Sequence, residues 1–153
     1  ERTDGTLQVT YNGWPLYYWV KDAALGEATG ENVGEVWFTI APETVAVSSN
    51  DALGSFLVAP NGMTLYMFKN DAEGVSNCYE DCAKNWPPYT VAANDRLVAG
   101  EGASSEGLSL VERTDGSKQV AYNGMPLYYW AKDTKPGDKT GDGFNKVWQV
   151  AKP

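Results

Sequence analysis

The stretch YNGMPLYYWAKD, at residues 122–133, occurs three times in this chain in recognisable form. The other copies are YNGWPLYYWVKD at residues 11–22 and the looser PNGMTLYMFKND at residues 60–71. Each copy has an Asn-Gly pair at its second and third positions, continues with apolar and aromatic residues, and ends on Asp. Asn-Gly is typical of tight β-turns, and aromatic residues favour strands. The stretch therefore predicts an internal repeat with a β-strand at the centre of each unit.

The repeat extends over the rest of the chain. A shift of 111 residues aligns residues 1–42 with residues 112–153 without a gap, and 23 of the 42 positions are identical. The middle copy aligns with the first at a shift of 49 and carries both cysteines. We therefore expect three units. They are a first B repeat at residues 1–42 whose initial strand is missing, an A repeat at residues 43–98, and a second B repeat at residues 99–153.

Each unit has the pattern of short antiparallel strands. In the second B repeat, Asp115-Gly116 and Asn123-Gly124 are hairpin signals. A polar, Gly-rich loop at residues 133–145 follows, and the last strand-like segment, KVWQVA, is predicted to close the meander of its own unit. No segment longer than a turn or two has helical periodicity. The pattern predicts an all-β chain built from tandem antiparallel four-stranded meanders.

The central strand of each unit is apolar on both faces. Side chains alternate along a strand, so Tyr128 and Trp130 point to one face while Leu127 and Tyr129 point to the other. A strand of this kind is covered on both sides. We therefore expect the meanders to stack in a propeller-like or sandwich-like array.

Composition excludes several classes of function. The net charge of −8 disfavours nucleic acid as a partner, because phosphate groups would be repelled. No apolar run approaches the roughly 18–20 residues of a transmembrane segment. The chain has no histidine, which removes Ser/His/Asp and Cys/His catalysis and most zinc or copper sites. We therefore predict that the protein is not an enzyme.

A Tyr-x-aromatic-x-x-Asp signature recurs in all three units, and a Cys-x3-Cys-Ala-x-x-Trp-Pro-Pro run spans residues 78–88. The signature residues are Tyr17, Trp19 and Asp22, Tyr66, Phe68 and Asp71, and Tyr128, Trp130 and Asp133. With these motifs the chain resembles the bacterial secreted, lipoprotein-type repeats of unknown function. The resemblance implies export to the extracellular space or the cell envelope, and it brings no established biochemical activity.

The signature has two interpretations. A phenolate and a carboxylate together suit a hard cation or ferric iron, although a phenol stays protonated at neutral pH unless a metal displaces its proton. Alternatively, the Tyr is a core residue and the Asp holds the following turn by hydrogen bonds to the backbone. Threefold repetition favours the structural interpretation.

The loops that follow the signature are acidic and rich in glycine. Ca²⁺ takes 6–8 oxygen ligands, which several carboxylates and carbonyls on one loop can provide. The spacing differs from that of an EF-hand, and neighbouring lysines can neutralise the same acids. Calcium is therefore an alternative hypothesis for these loops, and its ligands would be Asp22, Glu27 and Glu31 in the first B repeat and Asp133, Asp138 and Asp142 in the second.

Cys78 and Cys82 are four residues apart. One helical turn would bring their Cα atoms to about 6 Å, which is within disulfide range. Two thiols without histidine make a poor zinc site, and the spacing is not that of a Cys-x-x-Cys redox motif. We predict a structural disulfide.

Trp14 follows the Asn12-Gly13 turn, whereas Met stands at the matching positions of the other units. It is the best candidate for a sugar-stacking residue.

The favoured function is a non-catalytic surface module with a structural, adhesive or assembly role, completed by strand pairing with itself or with other surface proteins. The alternatives are a cation-binding protein and a glycan-binding module.

Overall fold

The computed structural model describes residues 2–11, 14–24, 27–31, 33–37, 39–40, 43–93 and 95–153, without the side chains of Tyr11, Trp14 and Glu35. The chain divides into two compact units, Glu1–Ile40 and Ala41–Pro153. The described residues form small antiparallel sheets, none of which is closed, and the one α-helix among them is the single turn Asp81–Asn85. The prediction of an all-β chain is confirmed. Stacking in a propeller-like or sandwich-like array stays a prediction.

The first unit has little regular structure. Strand β1 (Thr10–Tyr11) pairs with β2 (Trp14–Pro15) in an antiparallel arrangement. A 3₁₀ turn lies at Val33–Glu35. Many of the large apolar side chains of this unit are exposed.

The second unit contains the A repeat and the second B repeat. Its strands are β3 (Ala46–Asn50), β4 (Gly54–Val58), β5 (Tyr66–Phe68), β6 (Thr90–Val91), β7 (Leu108–Glu112), β8 (Lys118–Tyr122), β9 (Met125–Pro126) and β10 (Trp148–Val150). Two 3₁₀ turns lie at Ser105–Gly107 and Phe144–Lys146. Strand β3 pairs with β4, β8 pairs with β6, β7 and β9, and β5 pairs with β10.

The predicted hairpin turns of the second B repeat are present. Asn123 and Gly124 both have positive φ angles, 48° and 78°, and connect β8 to β9 through a two-residue loop. Positive φ at both positions is the requirement of a type I′ turn, which Asn-Gly meets at low cost. At the preceding turn the Asp115 carboxylate accepts a hydrogen bond from the Ser117 amide, which fixes the path from β7 to β8.

The closing strands are exchanged between the two repeats. Strand β10 of the second B repeat pairs with β5 of the A repeat, so that Trp148 lies opposite Phe68. In return, the Tyr129 amide of the second B repeat donates to the Pro87 carbonyl of the A repeat at 2.8 Å. The prediction that KVWQVA closes its own meander is therefore wrong. The central strands of the two repeats present equivalent edges, and each closing strand satisfies the edge of the other repeat.

The exchange follows a local two-fold axis. The Tyr66 amide donates to the Tyr128 carbonyl at 2.8 Å, and the Tyr128 amide donates back to the Tyr66 carbonyl at 3.0 Å. These two tyrosines are equivalent under the 62-residue shift that relates the repeats. A second pair of bonds obeys the same shift. The Lys69 amide donates to the Val147 carbonyl, and the Ala131 amide, 62 residues after Lys69, donates to the carbonyl of Asn85, 62 residues before Val147. The A repeat and the second B repeat therefore form a pseudosymmetric pair. The three-part division of the chain stays a prediction, because the compact units do not separate these two repeats.

In the A repeat and the second B repeat, both faces of the central segment are buried, as predicted. In the first B repeat the prediction is wrong, because Tyr17 and Tyr18, which point to opposite faces, are both exposed. Tyr66, Tyr128 and Trp130 belong to one core cluster. Leu65 and Leu127 belong to the other, against which Tyr129 packs. Since successive residues enter different clusters, the central strands lie between two apolar layers. Burial of this kind stabilises the fold by about 1.5–3 kcal/mol for each large apolar side chain.

Candidate functional site

The signature tyrosines and aspartates pair between repeats. The Tyr66 hydroxyl of the A repeat donates to Asp133 Oδ2 of the second B repeat at 2.5 Å. The Tyr128 hydroxyl of the second B repeat donates to Asp71 Oδ2 of the A repeat at 2.7 Å. These contacts are equivalent under the two-fold axis. The signature therefore joins two repeats, which its spacing within one repeat did not indicate.

The second oxygen of each aspartate holds the turn that follows. Asp133 Oδ1 accepts hydrogen bonds from the amide and the hydroxyl of Thr140, at 3.0 and 2.7 Å. Asp71 Oδ1 accepts from the Asn77 amide at 2.7 Å. In the first B repeat, Asp22 Oδ1 accepts from the amide and hydroxyl of Thr29, at 2.9 and 2.6 Å. These contacts match the structural interpretation of the signature, with the added bond between repeats.

Burial keeps the phenols neutral. It raises the pKa of Tyr66 and Tyr128 well above the ordinary value of about 10, and the facing carboxylates raise it further. Burial also raises the pKa of the Asp71 carboxyl. The hydrogen bonds from Asn77 and Tyr128 and the positive charge of Arg113 lower this pKa, but burial has the larger effect. At neutral pH each phenol therefore acts as a hydrogen-bond donor to a carboxylate.

Arg113 joins the same buried network. Its guanidinium donates to Gln119 Oε1 at 2.7 Å within its own repeat. It also donates to Ser76 Oγ and to the Cys78 carbonyl of the A repeat, both at 2.8 Å. A buried arginine is tolerated only when charge and hydrogen bonds compensate for lost hydration. Sequence reasoning missed this residue, although an Arg-x5-Gln pattern occurs in both B repeats.

A stack of four aromatic rings runs across the two-fold axis. Trp86 and Trp148, which are equivalent residues, lie 3.8 Å apart and nearly parallel. Phe68 stacks outside Trp148 at 4.3 Å, and Trp130 stacks outside Trp86 at 4.1 Å. Each aromatic pair contributes about 0.5–1.5 kcal/mol beyond the area it buries. The repeats are therefore held together by rings from both.

The predicted disulfide is confirmed. Cys78 and Cys82 are bonded, with their Cα atoms 5.2 Å apart. The helical turn Asp81–Asn85 places the second cysteine, as the spacing suggested. Cys78 is buried, and its carbonyl is the acceptor for Arg113. The disulfide therefore stabilises the segment that receives the arginine.

The acids of the calcium hypothesis have separate partners. Asp138 Oδ2 accepts from the amides of Thr134 and Lys135, while Asp142 Oδ1 accepts from the Val150 amide. Within the described ranges, no group of three or more Cys, Asp or Glu is arranged to hold a metal ion. The structure does not bring Asp133, Asp138 and Asp142 together.

The matching acids of the first B repeat have the same local roles. Glu27 accepts from the amides of Ala23 and Ala24, and Glu31 accepts from the Thr39 amide. Asp22 accepts hydrogen bonds from Thr29, as Asp133 does from Thr140. The acids of this loop therefore make the same kinds of hydrogen bond as those of the second B repeat. Calcium binding by either loop stays a prediction.

Glycan stacking also stays a prediction. The Trp14 side chain lies outside the described part of the chain, as does the preceding Asn12-Gly13 turn. An open depression of about 390 Å³ lies beside Trp86, Trp130 and Phe144. The two tryptophans are buried in the ring stack, which leaves Phe144 as the exposed ring of this depression.

Fold and site together define a class: an all-β repeat protein in which signature residues join the A repeat to the second B repeat. The family model described as a secreted repeat of unknown function, Lipoprotein_15, matches residues 1–41, 47–90 and 109–152. The chain belongs to this family, and the resemblance inferred from the motifs is confirmed. No curated protein and no solved structure matches it significantly.

The family description bears on location. The family is described as secreted, so the protein is exported to the extracellular space or the cell envelope. Among the described residues, no helix has the length and hydropathy needed to span a bilayer. The family is a repeat family and not an enzyme family.

Proposed function

We propose that the protein is a non-catalytic structural module of the cell surface, which assembles by pairing its repeats. The observation that carries this proposal is the reciprocal exchange of closing strands between the A repeat and the second B repeat. Each repeat contributes a strand that the other needs. A repeat of this kind is completed only by a second repeat.

The chemistry of the signature supports the same role. The Tyr66 and Tyr128 phenols and the Asp71 and Asp133 carboxylates are buried, and they are bonded to each other across the repeats. A buried polar group left without a partner costs about 1–3 kcal/mol. The four groups therefore favour the correct partner over a wrong one, since a mispaired repeat would leave them unsatisfied. This is how a repeat would recognise another repeat.

Pairing through backbone edges also provides a means of assembly. Strand addition binds through main-chain hydrogen bonds, while side-chain pockets supply specificity. In this protein the ring stack and the Tyr–Asp bonds supply that specificity. An exposed repeat would associate with a complementary repeat by the same contacts, which is the basis of a structural or adhesive role at the surface.

Chemical crosslinking of intact cells that display the native protein tests the proposal. We expect crosslinked species larger than one chain, and electron micrographs of envelope fractions should show extended assemblies. The comparison variant is the full chain with Tyr17→Ser and Trp37→Ser, and the loss of these exposed rings should reduce the crosslinked species. Exclusive recovery of single chains from wild-type cells would contradict the assembly role.

A further inference from the structure

The first B repeat carries the pairing surface of the second B repeat, but this surface is exposed. Tyr17 is 59% exposed, whereas its counterpart Tyr128 is 0% exposed. Trp37 is 44% exposed, whereas its counterpart Trp148 is 4% exposed. Other large apolar side chains of this repeat are exposed as well, namely Leu7, Val9, Tyr18, Val20, Val36 and Ile40. Tyr17 and Trp37, whose rings are in contact, are exposed apolar groups of the kind that mark an interaction surface.

The aromatic geometry of this surface is already that of a paired repeat. Tyr17 meets Trp37 edge-on, with ring centroids 5.3 Å apart and an interplanar angle of 86°. The corresponding values for Tyr128 and Trp148 are 5.2 Å and 89°. Preorganisation of this kind lowers the entropic cost of binding.

The polar contacts within the repeat are preserved too. Arg2 donates to Gln8 Oε1 at 3.1 Å, as Arg113 does to Gln119. Gln8 donates to the Leu16 carbonyl at 2.9 Å, and its counterpart donates to the Leu127 carbonyl at 2.8 Å. The first B repeat therefore has the internal contacts of its counterpart.

The contacts that differ are those which the second B repeat makes with the A repeat. The Tyr128 hydroxyl is hydrogen-bonded to Asp71. Trp148 and Trp130 of the second B repeat both stack on Trp86 of the A repeat. Within the described ranges, no carboxylate accepts a hydrogen bond from the Tyr17 hydroxyl. The Arg113 side chain is 1% exposed, whereas that of Arg2 is 49% exposed.

We propose that residues 1–40 bind an A-type repeat, one that carries the Ser-x-Cys-x3-Cys segment and the following Trp. This inference rests on the proposed function, and it names the partner. The partner would supply an Asp for Tyr17, a Tyr for Asp22 and a Trp between Trp19 and Trp37. It would also supply the hydroxyl and carbonyl acceptors for Arg2.

The arginine distinguishes an A-type partner from a second copy of the first B repeat. In the observed pair, Arg113 lies on the B side, and its acceptors Ser76 and Cys78 lie on the A side. The first B repeat keeps the arginine, but residues 1–42 contain no cysteine and no Ser-x-Cys segment. Two copies of the first B repeat would therefore bring together two arginines and no Ser-x-Cys segment.

The experiment uses the full chain, extended at its N-terminus by a second copy of residues 43–111. Glu1 then follows Val111, as Glu112 does in the natural order. Amide hydrogen exchange is measured with and without the extension. We expect exchange at residues 16–20 and 36–40 to become at least tenfold slower in the extended chain. Arg2→Ala, or Trp86→Ala in the added copy alone, should return most of the exchange to the rate of the unextended chain.

Two outcomes would overturn the proposal. One is unchanged exchange at residues 1–40, whether or not the added copy is itself protected. The other is protection of residues 1–40 in the unextended chain that rises with protein concentration, since it would identify a second copy as the partner.

The same data test the proposed function separately. If residues 64–68 and 127–131 exchange rapidly in both chains, the repeat pair itself is wrong and the proposed function fails. If they are protected while residues 1–40 are not, only the present inference fails.

Discussion

The two B repeats have closely similar sequences and different environments. They share 23 of 42 aligned residues, and the contact of Tyr17 with Trp37 reproduces that of Tyr128 with Trp148. Yet the second B repeat is buried against the A repeat, and the aromatic face of the first is exposed. The local shape of a B repeat therefore arises within the repeat, whereas the second B repeat owes its burial to contacts with the A repeat. Matched substitutions in the two repeats separate these contributions.

The largest effect is expected from Trp148→Ala. Its ring is buried between Phe68 and Trp86, so truncation removes apolar contacts and leaves a cavity in the stack. We expect a loss of about 3–5 kcal/mol in the free energy of unfolding. The matched Trp37→Ala changes a half-exposed ring, and the expected loss is below about 1 kcal/mol. Guanidinium unfolding of both variants, followed by near-UV circular dichroism, makes the comparison. Equal losses would show that the first B repeat is buried in solution.

Alkaline pH should destabilise the second unit in particular. Burial raises the pKa of Tyr66, Tyr128 and Tyr129 in the folded state, whereas unfolded tyrosines titrate near pH 10. Above that pH the unfolded chain releases protons which the folded chain keeps, so stability is complete below about pH 10 and falls as the pH rises. The expected slope is about 1.4 kcal/mol per pH unit for each of the three tyrosines.

Unfolding measured at several alkaline pH values tests this slope. Tyr128→Phe should reduce the slope by the contribution of one tyrosine, which is about 1.4 kcal/mol per pH unit. Tyr17→Phe serves as the control because Tyr17 is exposed. A slope that is unaffected by Tyr128→Phe would contradict the assignment.

At neutral pH, Tyr128→Phe is expected to have a moderate effect. It removes the hydroxyl that bonds Asp71 and Ser76, and it leaves a buried carboxylate oxygen without its donor. The expected loss is about 1–3 kcal/mol. Tyr17→Phe should leave stability unchanged within error, and thermal melting of the two variants provides the measurement. If Tyr128→Phe leaves the stability unchanged, the hydrogen bond between the repeats contributes little to specificity.

The smallest effect is expected from calcium. The acids of both loops are engaged with backbone amides: Asp138 with Thr134 and Lys135, and Glu27 with Ala23 and Ala24. We therefore expect melting curves that are the same in millimolar Ca²⁺ and in EDTA. A rise in the melting temperature with Ca²⁺ would reveal binding, since a ligand of the folded state stabilises it. Asp138→Asn and the matched Glu27→Gln would then show which loop is responsible.

Much of the architecture was predictable because it depends on neighbours in sequence. The Asn123-Gly124 turn, the Cys78–Cys82 disulfide and the two apolar faces of the central strand all follow from local spacing. The route of strand β10 did not follow from spacing. Antiparallel neighbours in sequence were assumed to pair, as short connections usually dictate. In this fold the loop at residues 133–145 carries β10 to the other repeat.

The site shows the same division. Spacing identified Tyr128 and Asp133 as important, but it placed their roles within one repeat. Their actual partners are Asp71 and Tyr66, which lie 57 and 67 residues away in sequence. Arg113 went unnoticed because a single arginine near a turn carries no signal of burial. Its recurrence as Arg2 was the available clue.

The sequence by itself determined the three copies, their strands and turns, the disulfide and the absence of histidine chemistry. Those properties depend on side-chain alternation, turn geometry and composition, all of which act over a few residues. Only the tertiary structure decided which repeat completes which. Backbone donors and acceptors are alike in every repeat, so strand pairing alone is degenerate. The choice is made by the buried Tyr–Asp bonds, the arginine and the ring stack, which exist only once two repeats have met.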